Sequence, residues 1–183
     1  MSLTALHSAL AATDLLTELE IEDGFIHGET TFAAAGVEVV VNVDPDPEEE
    51  GREVDAAAMV ERTRALLGLS AEEFTRIVGE VADEIDAALE EEEIEKVADL
   101  RVDLTPVSLI VLPEGAGLVL LAPTQLPNGA VTVILDDERE ITEIQLQGPE
   151  GGCGEGCACG SEGAEGESFT SVEELIGSLS TES

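Results

Sequence analysis

Three cysteines stand close together late in the chain, as Cys153-Gly-Glu-Gly-Cys157-Ala-Cys159. Thiolates are soft ligands, and the glycines beside them permit the dihedrals that let three sulfurs converge on one ion. The cofactors this spacing suits are Cu(I) and Zn(II), with a fourth ligand from His7, His27, an acid or another chain. The pattern departs from the paired Cys-x-x-Cys spacing of zinc sites and is one ligand short of an iron–sulfur set. It also lacks the Cys-x-x-Cys-His of covalent haem. Redox work is disfavoured, because Glu150, Glu155, Glu162 and Glu165 oppose thiolate formation, while the same field helps to retain a cation. The expected metal residues are therefore Cys153, Cys157 and Cys159. The bland alternative is a tail of exposed thiols that react independently.

Other residue patterns carry less chemistry. Gly151-Gly152 directly before Cys153 resembles a double-glycine processing junction, so a peptide precursor cleaved after Gly152 is a further reading. Asp44, Asp46 and Glu48 mimic the opening of a calcium loop, but Pro45 and Pro47 stiffen it and Glu49 stands where that loop needs glycine. His7 and His27 are the two histidines, and neither has a patterned partner for proton transfer. Gly-x-Ser-x-Gly, His-Glu-x-x-His and P-loop patterns are absent, so no catalytic residue is assigned.

The charge balance excludes some partners and invites others. The chain has 183 residues, with 42 acids against 7 bases and a formal net charge of −35. Such a surface repels phosphate, which argues against nucleic acid and against docking on an anionic membrane. It attracts a protein partner with a basic surface, or it stays soluble at high salt through screening. Nothing basic precedes Arg52, so the charge pattern of a secretory or transit signal is missing. The longest apolar stretch, Pro106 to Pro123, is interrupted by Pro113-Glu114-Gly115 and reads as a hairpin. Clustered cysteines cannot staple a fold, and the expected location is cytoplasmic.

The elements that would position these residues follow from periodicity. Leu3, Leu6 and Leu10 predict a short N-terminal helix within residues 3–16. Two extended runs, 24–34 and 37–43, joined at Ala35-Gly36, predict a hairpin, and the proline-rich acidic run 44–51 ends it. A helix over about 55–67 carries Met59, Val60, Thr63 and Leu66 on one side. The next helix is the strongest element, with Phe74, Ile77, Val78, Val81, Ile85 and Leu89 in one stripe behind a Ser70/Glu73 capping box. Four strands are then expected at 107–112, 117–122, 131–135 and 141–147, turning at Pro113–Gly115, Pro127–Gly129 and Asp136–Glu138.

The predicted fold is α+β, an antiparallel sheet in the order ββ-αα-ββββ covered by an αα-hairpin, within a domain spanning 1–147. A composition break predicts a flexible Gly/Glu/Cys-rich tail over 148–167. A short amphipathic segment over 168–183 follows it, built on Phe169, Val172, Leu175, Ile176 and Leu179. The leading functional reading is a non-enzymatic acidic binding or regulatory domain that engages a basic protein through a sheet face or edge. Soft-metal handling through the cysteine segment is the alternative.

Overall fold

Seven extended segments pair into one sheet in the computed structural model, which describes residues 3–22, 24–45, 55–91 and 93–147. The strands are β1 (Thr17–Glu22), β2 (Phe25–Phe32), β3 (Val37–Val43), β4 (Thr105–Leu112), β5 (Gly115–Ala122), β6 (Leu126–Leu135) and β7 (Ile141–Gln147), and they lie side by side in chain order. The helices are α1 (Leu3–Ala11), α2 (Ala56–Leu67), α3 (Ala71–Glu91) and the short α4 (Leu100–Asp103). The mixed α+β class is as expected.

The strand order corrects the expectation in two ways. The first half of the sheet has three strands, so the order is βββ-αα-ββββ. β1, Thr-Glu-Leu-Glu-Ile-Glu, was missed because it is an acid-rich edge strand with only Leu19 packed against the core and Ile21 left exposed. Edge strands are disguised in this way, since charge on the edge blocks pairing with other chains. The sheet is also not antiparallel throughout. β3 and β4 run parallel, in register Val40↔Ser108 to Val43↔Val111, because α2, α3 and α4 form a crossover that returns the chain in the same direction.

Turn chemistry explains most strand ends. Gly36, at φ +69°, donates its N–H to the Phe32 carbonyl and closes the β2–β3 hairpin in a conformation that L side chains avoid. Leu112 pairs with Gly115, so Pro113-Glu114 is a two-residue turn. The Pro127-Asn128-Gly129 turn is a third correction: these residues sit inside β6, where the register with β5 jumps from Leu121↔Ala130 to Ala122↔Leu126. Pairing of β7 with β6 extends only from Leu135 to Ala130, so the missing N–H of Pro127 costs no ladder bond there.

The helices cover one face. Asp55 caps α2 by accepting the Ala57 N–H at 2.9 Å. The expected capping box opens α3: Ser70 Oγ accepts the Glu73 N–H at 3.2 Å and Glu73 accepts the Ser70 N–H at 2.9 Å. Past the last turn, Glu93 at φ +56° lets Ile94 donate back to the Leu89 carbonyl. The α3 stripe is buried as read, including Ile77, Val81 and Ile85. Phe74 meets Phe32 of β2 edge-to-face at 5.4 Å between ring centres. Facing the helices are Ile26, Val41, Leu109, Leu118, Leu120, Val131 and Val133, all fully buried in the same core.

Candidate functional site

The other face of the sheet is where the described residues gather chemistry without a cover. Side chains alternate between faces along a strand, so the pairing register places whole rows on one side. One row across the seven strands reads Glu20, His27, Asn42, Ile110, Gly117, Ile134 and Glu143. The next reads Thr17, Glu29, Val40, Ser108, Val119, Thr132 and Gln145. In both, the outermost residues are acidic or polar, and the aliphatic ones, Val40, Ile110, Val119 and Ile134, lie on the inner strands, with Asn42, Ser108 and Thr132 among them.

The aliphatic middle is separate from the core. Val40, Val107, Ile110, Val119, Leu121 and Ile134 neither belong to the core cluster nor pack against it. Val40 is 39% exposed and Leu121 37%. Gly117 sits between two isoleucines: a Cβ there would meet Ile110 Cβ at 3.3 Å and Ile134 Cδ1 at 3.5 Å. The absent side chain lets Ile110 and Ile134 close over the position and makes the apolar strip continuous. A shallow groove of about 560 Å³ adjoins the strip, lined among others by Thr17, Glu29, Thr31, Glu38, Val40 and Val107.

A hydrogen-bonded chain crosses the polar side of this face. Asn42 Nδ2 donates to Ser108 Oγ at 3.0 Å, which turns Oδ1 toward His27 Nδ1 at 2.6 Å, so the ring donates there. Phe25 flanks the imidazole edge-on at 6.2 Å. Serine, asparagine and histidine in line look like a nucleophile system, but the amide in the middle cannot pass a proton from hydroxyl to ring. The chain fixes three strands in register and does not activate Ser108. His7 is likewise occupied, with Nε2 3.3 Å from the Leu19 carbonyl, tying α1 to β1.

Charge on the uncovered face has one sign. No strand contains Lys or Arg. Every base among the described residues sits on a helix or a connection and is held in an ion pair. Arg62 bonds the Leu112 carbonyl at 3.1 Å and Asp137 at 3.0 Å, pinning α2 to two strand turns. Arg76 reaches the Arg139 carbonyl at 2.9 Å, and Arg139 in turn pairs with Glu73. Lys96 and Arg101 hold Asp86 and Asp83 of α3. A small cavity of about 60 Å³ lies between Arg62 and Arg139, room for about two waters. Both arginines are already neutralised by acids, so it offers no anion site. With the described bases spent on joining elements, Glu20, Glu22, Glu29, Glu38 and Glu143 on the open face meet no Lys or Arg among the described residues.

Among the described residues two carboxylates have shifted acidities, and both join elements of the fold. Bonds from the Ser70 side chain and backbone, then from Arg139, hold Glu73 at about 2 against an ordinary 4.5. Partial burial would raise Asp103, but the N–H groups of Gln125 and Thr124 outweigh it and hold it below the usual range, linking α4 to the β5–β6 turn.

The predicted metal ligands Cys153, Cys157 and Cys159 lie outside the described residues, as do residues 168–183. Among the described residues no group of His, Cys, Asp and Glu is placed to hold a metal ion, and no helix is long and apolar enough to cross a membrane. Nothing in the expected one-sided sheet anticipates the apolar strip, yet the sequence carries a signal for it. β3 to β6 run as Val-Glu-Val-Val-Val, Leu-Ile-Val-Leu, Leu-Val-Leu-Leu and Val-Thr-Val-Ile-Leu, nearly continuous where a one-sided sheet alternates. No family model, curated protein or solved structure matches this chain.

Proposed function

We propose that this chain is a non-enzymatic, cytoplasmic binding domain whose uncovered sheet face docks a basic protein segment with an apolar side. One observation carries the reading: an apolar strip outside the core, on strands with no base, flanked by glutamates of β1–β3 on one side and Glu143 of β7 on the other. The strip supplies affinity by removing apolar surface from water, and the glutamates select a cation-bearing partner and speed encounter. The net charge of −35 extends that attraction and repels nucleic acid. The face's serine and histidine are separated by the Asn42 amide and so form no proton relay.

A synthetic amphipathic Lys/Leu peptide of about four helical turns tests the reading, with a Glu/Leu peptide of the same spacing as control. The Lys/Leu peptide is expected to bind, more weakly as salt rises, and the control to fail. Replacing Ile110→Lys and Val119→Lys together should abolish binding while the domain stays folded, because neither residue belongs to the core. Undiminished binding by that folded double variant overturns the proposal.

A further inference from the structure

The uncovered face has a second candidate occupant, attached to the same chain. We infer that residues 169–179 of this chain dock on the apolar strip and compete there with the basic partner. The inference rests on reading the face as a docking surface, and it adds how that surface is regulated.

The exit of the chain carries the argument. β7 is an edge strand that ends at Gln147, and Gln147 shares a row with Ala130 and, one strand further, Leu121 of the strip. The described chain therefore ends about 10 Å, two strand spacings, from exposed apolar surface. Ile110 lies on β4, one strand beyond and further along the sheet, opposite Gly117. The connecting stretch 148–167 is roughly 20 residues and spans up to about 65 Å when extended, so reach is no obstacle. The stretch itself, Gly148 to Glu167, contains no bulky apolar residue. Beyond it the apolar residues resume as Phe169, Val172, Leu175, Ile176 and Leu179, the spacing of a single apolar stripe. A tether of this kind gives an effective concentration on the order of millimolar, so even weak contact competes with a free partner.

Charge gives the device its sign. No base follows Arg139, and the segment carries Glu173 and Glu174 beside its apolar stripe. Segment and face repel electrostatically while their apolar surfaces attract. Salt screens the repulsion, so docking strengthens with ionic strength, whereas attraction to a basic partner weakens. The face is open to its partner in dilute solution and covered by its own chain at high salt.

The test uses the full chain with Ile, Leu and Val methyl groups labelled for NMR, against a Leu175→Glu/Ile176→Glu variant. In molar KCl the methyl signals of Ile110, Val119 and Ile134 should differ between the two chains, while those of Ile77 and Ile85 in the core stay fixed. At moderate ionic strength the Lys/Leu peptide should bind the variant about three- to tenfold more tightly, the relief expected from removing a tethered competitor. Identical face methyl signals in both chains at every salt concentration overturn the docking. Differences that grow with protein concentration overturn it too, since they assign the contact to a second copy. Peptide binding that is equal in both chains, with unmoved methyl signals, sinks the docking and leaves the binding reading standing. Methyl signals that respond to the tail variant, with no peptide binding to either chain, support the docking and sink the basic partner.

Discussion

Glu73 does three things with one carboxylate: it caps α3 through the Ser70 N–H, accepts the Ser70 hydroxyl, and receives Arg139 from the β6–β7 turn. Its acidity is held at about 2, below an ordinary 4.5, so its contribution to stability is complete above about 4.5 and is lost as pH falls through 2. A Glu73→Gln variant should melt below wild type at neutral pH, and the gap should close as the acid limb is descended toward pH 2. Ser70→Ala should cost about 1 kcal/mol by losing the cap, read from chemical denaturation. The three thiols belong at this scale as well. If Cys153, Cys157 and Cys159 form the proposed soft-metal site, one equivalent of Cu(I) or Zn(II) protects all of them together, less well as pH falls and protons compete for sulfur. Free thiols counted against added metal decide the matter, and three independent reactivities end the proposal. The chemistry of the capping box was legible, because Ser-x-x-Glu before an apolar stripe is local. The link from Arg139 to Glu73 was not, because it joins residues 66 apart in sequence.

Elements differ in what their apolar residues are for. Ile77 and Val81 of α3 are fully buried between helix and sheet, each contributing about 2–3 kcal/mol by leaving water. Ile77→Asp should prevent folding, because an unpaired charge there costs several kcal/mol. Circular dichroism with a cooperative melt would contradict this. Ile110→Lys, on the open face, should leave a folded domain and change the midpoint far less. Both isoleucines look alike in the sequence. Periodicity identified the α3 stripe because a helix of 21 residues presents one long face. It missed β1, whose acids hide a six-residue strand, and it put a turn at Pro127-Asn128-Gly129, where a register jump keeps the chain in β6.

For the whole molecule, the decisive quantity is a net charge of −35 held on a fold whose described bases are all paired. Self-repulsion is strongest in dilute buffer, so the thermal midpoint should rise from low salt to molar KCl. It should also rise as pH is lowered modestly from neutral, before the loss of Glu73 below about 4.5 reverses the trend. A midpoint indifferent to salt would show that the acids are too far apart to interact.

From the sequence alone come the α+β class, the helical hairpin with its caps, the strands β2 to β5 and β7 to within a few residues, and the one-sided charge. All of these depend on neighbours within a turn or a strand length, or on composition. The tertiary structure decided the parallel β3–β4 pair, the seven-strand order, the ion pairs that occupy the bases, and the apolar strip from Val40 to Ile134. Each depends on which strands lie side by side. A valine in a strand carries no mark of whether its face meets a helix or water, and only the register of the assembled sheet assigns it.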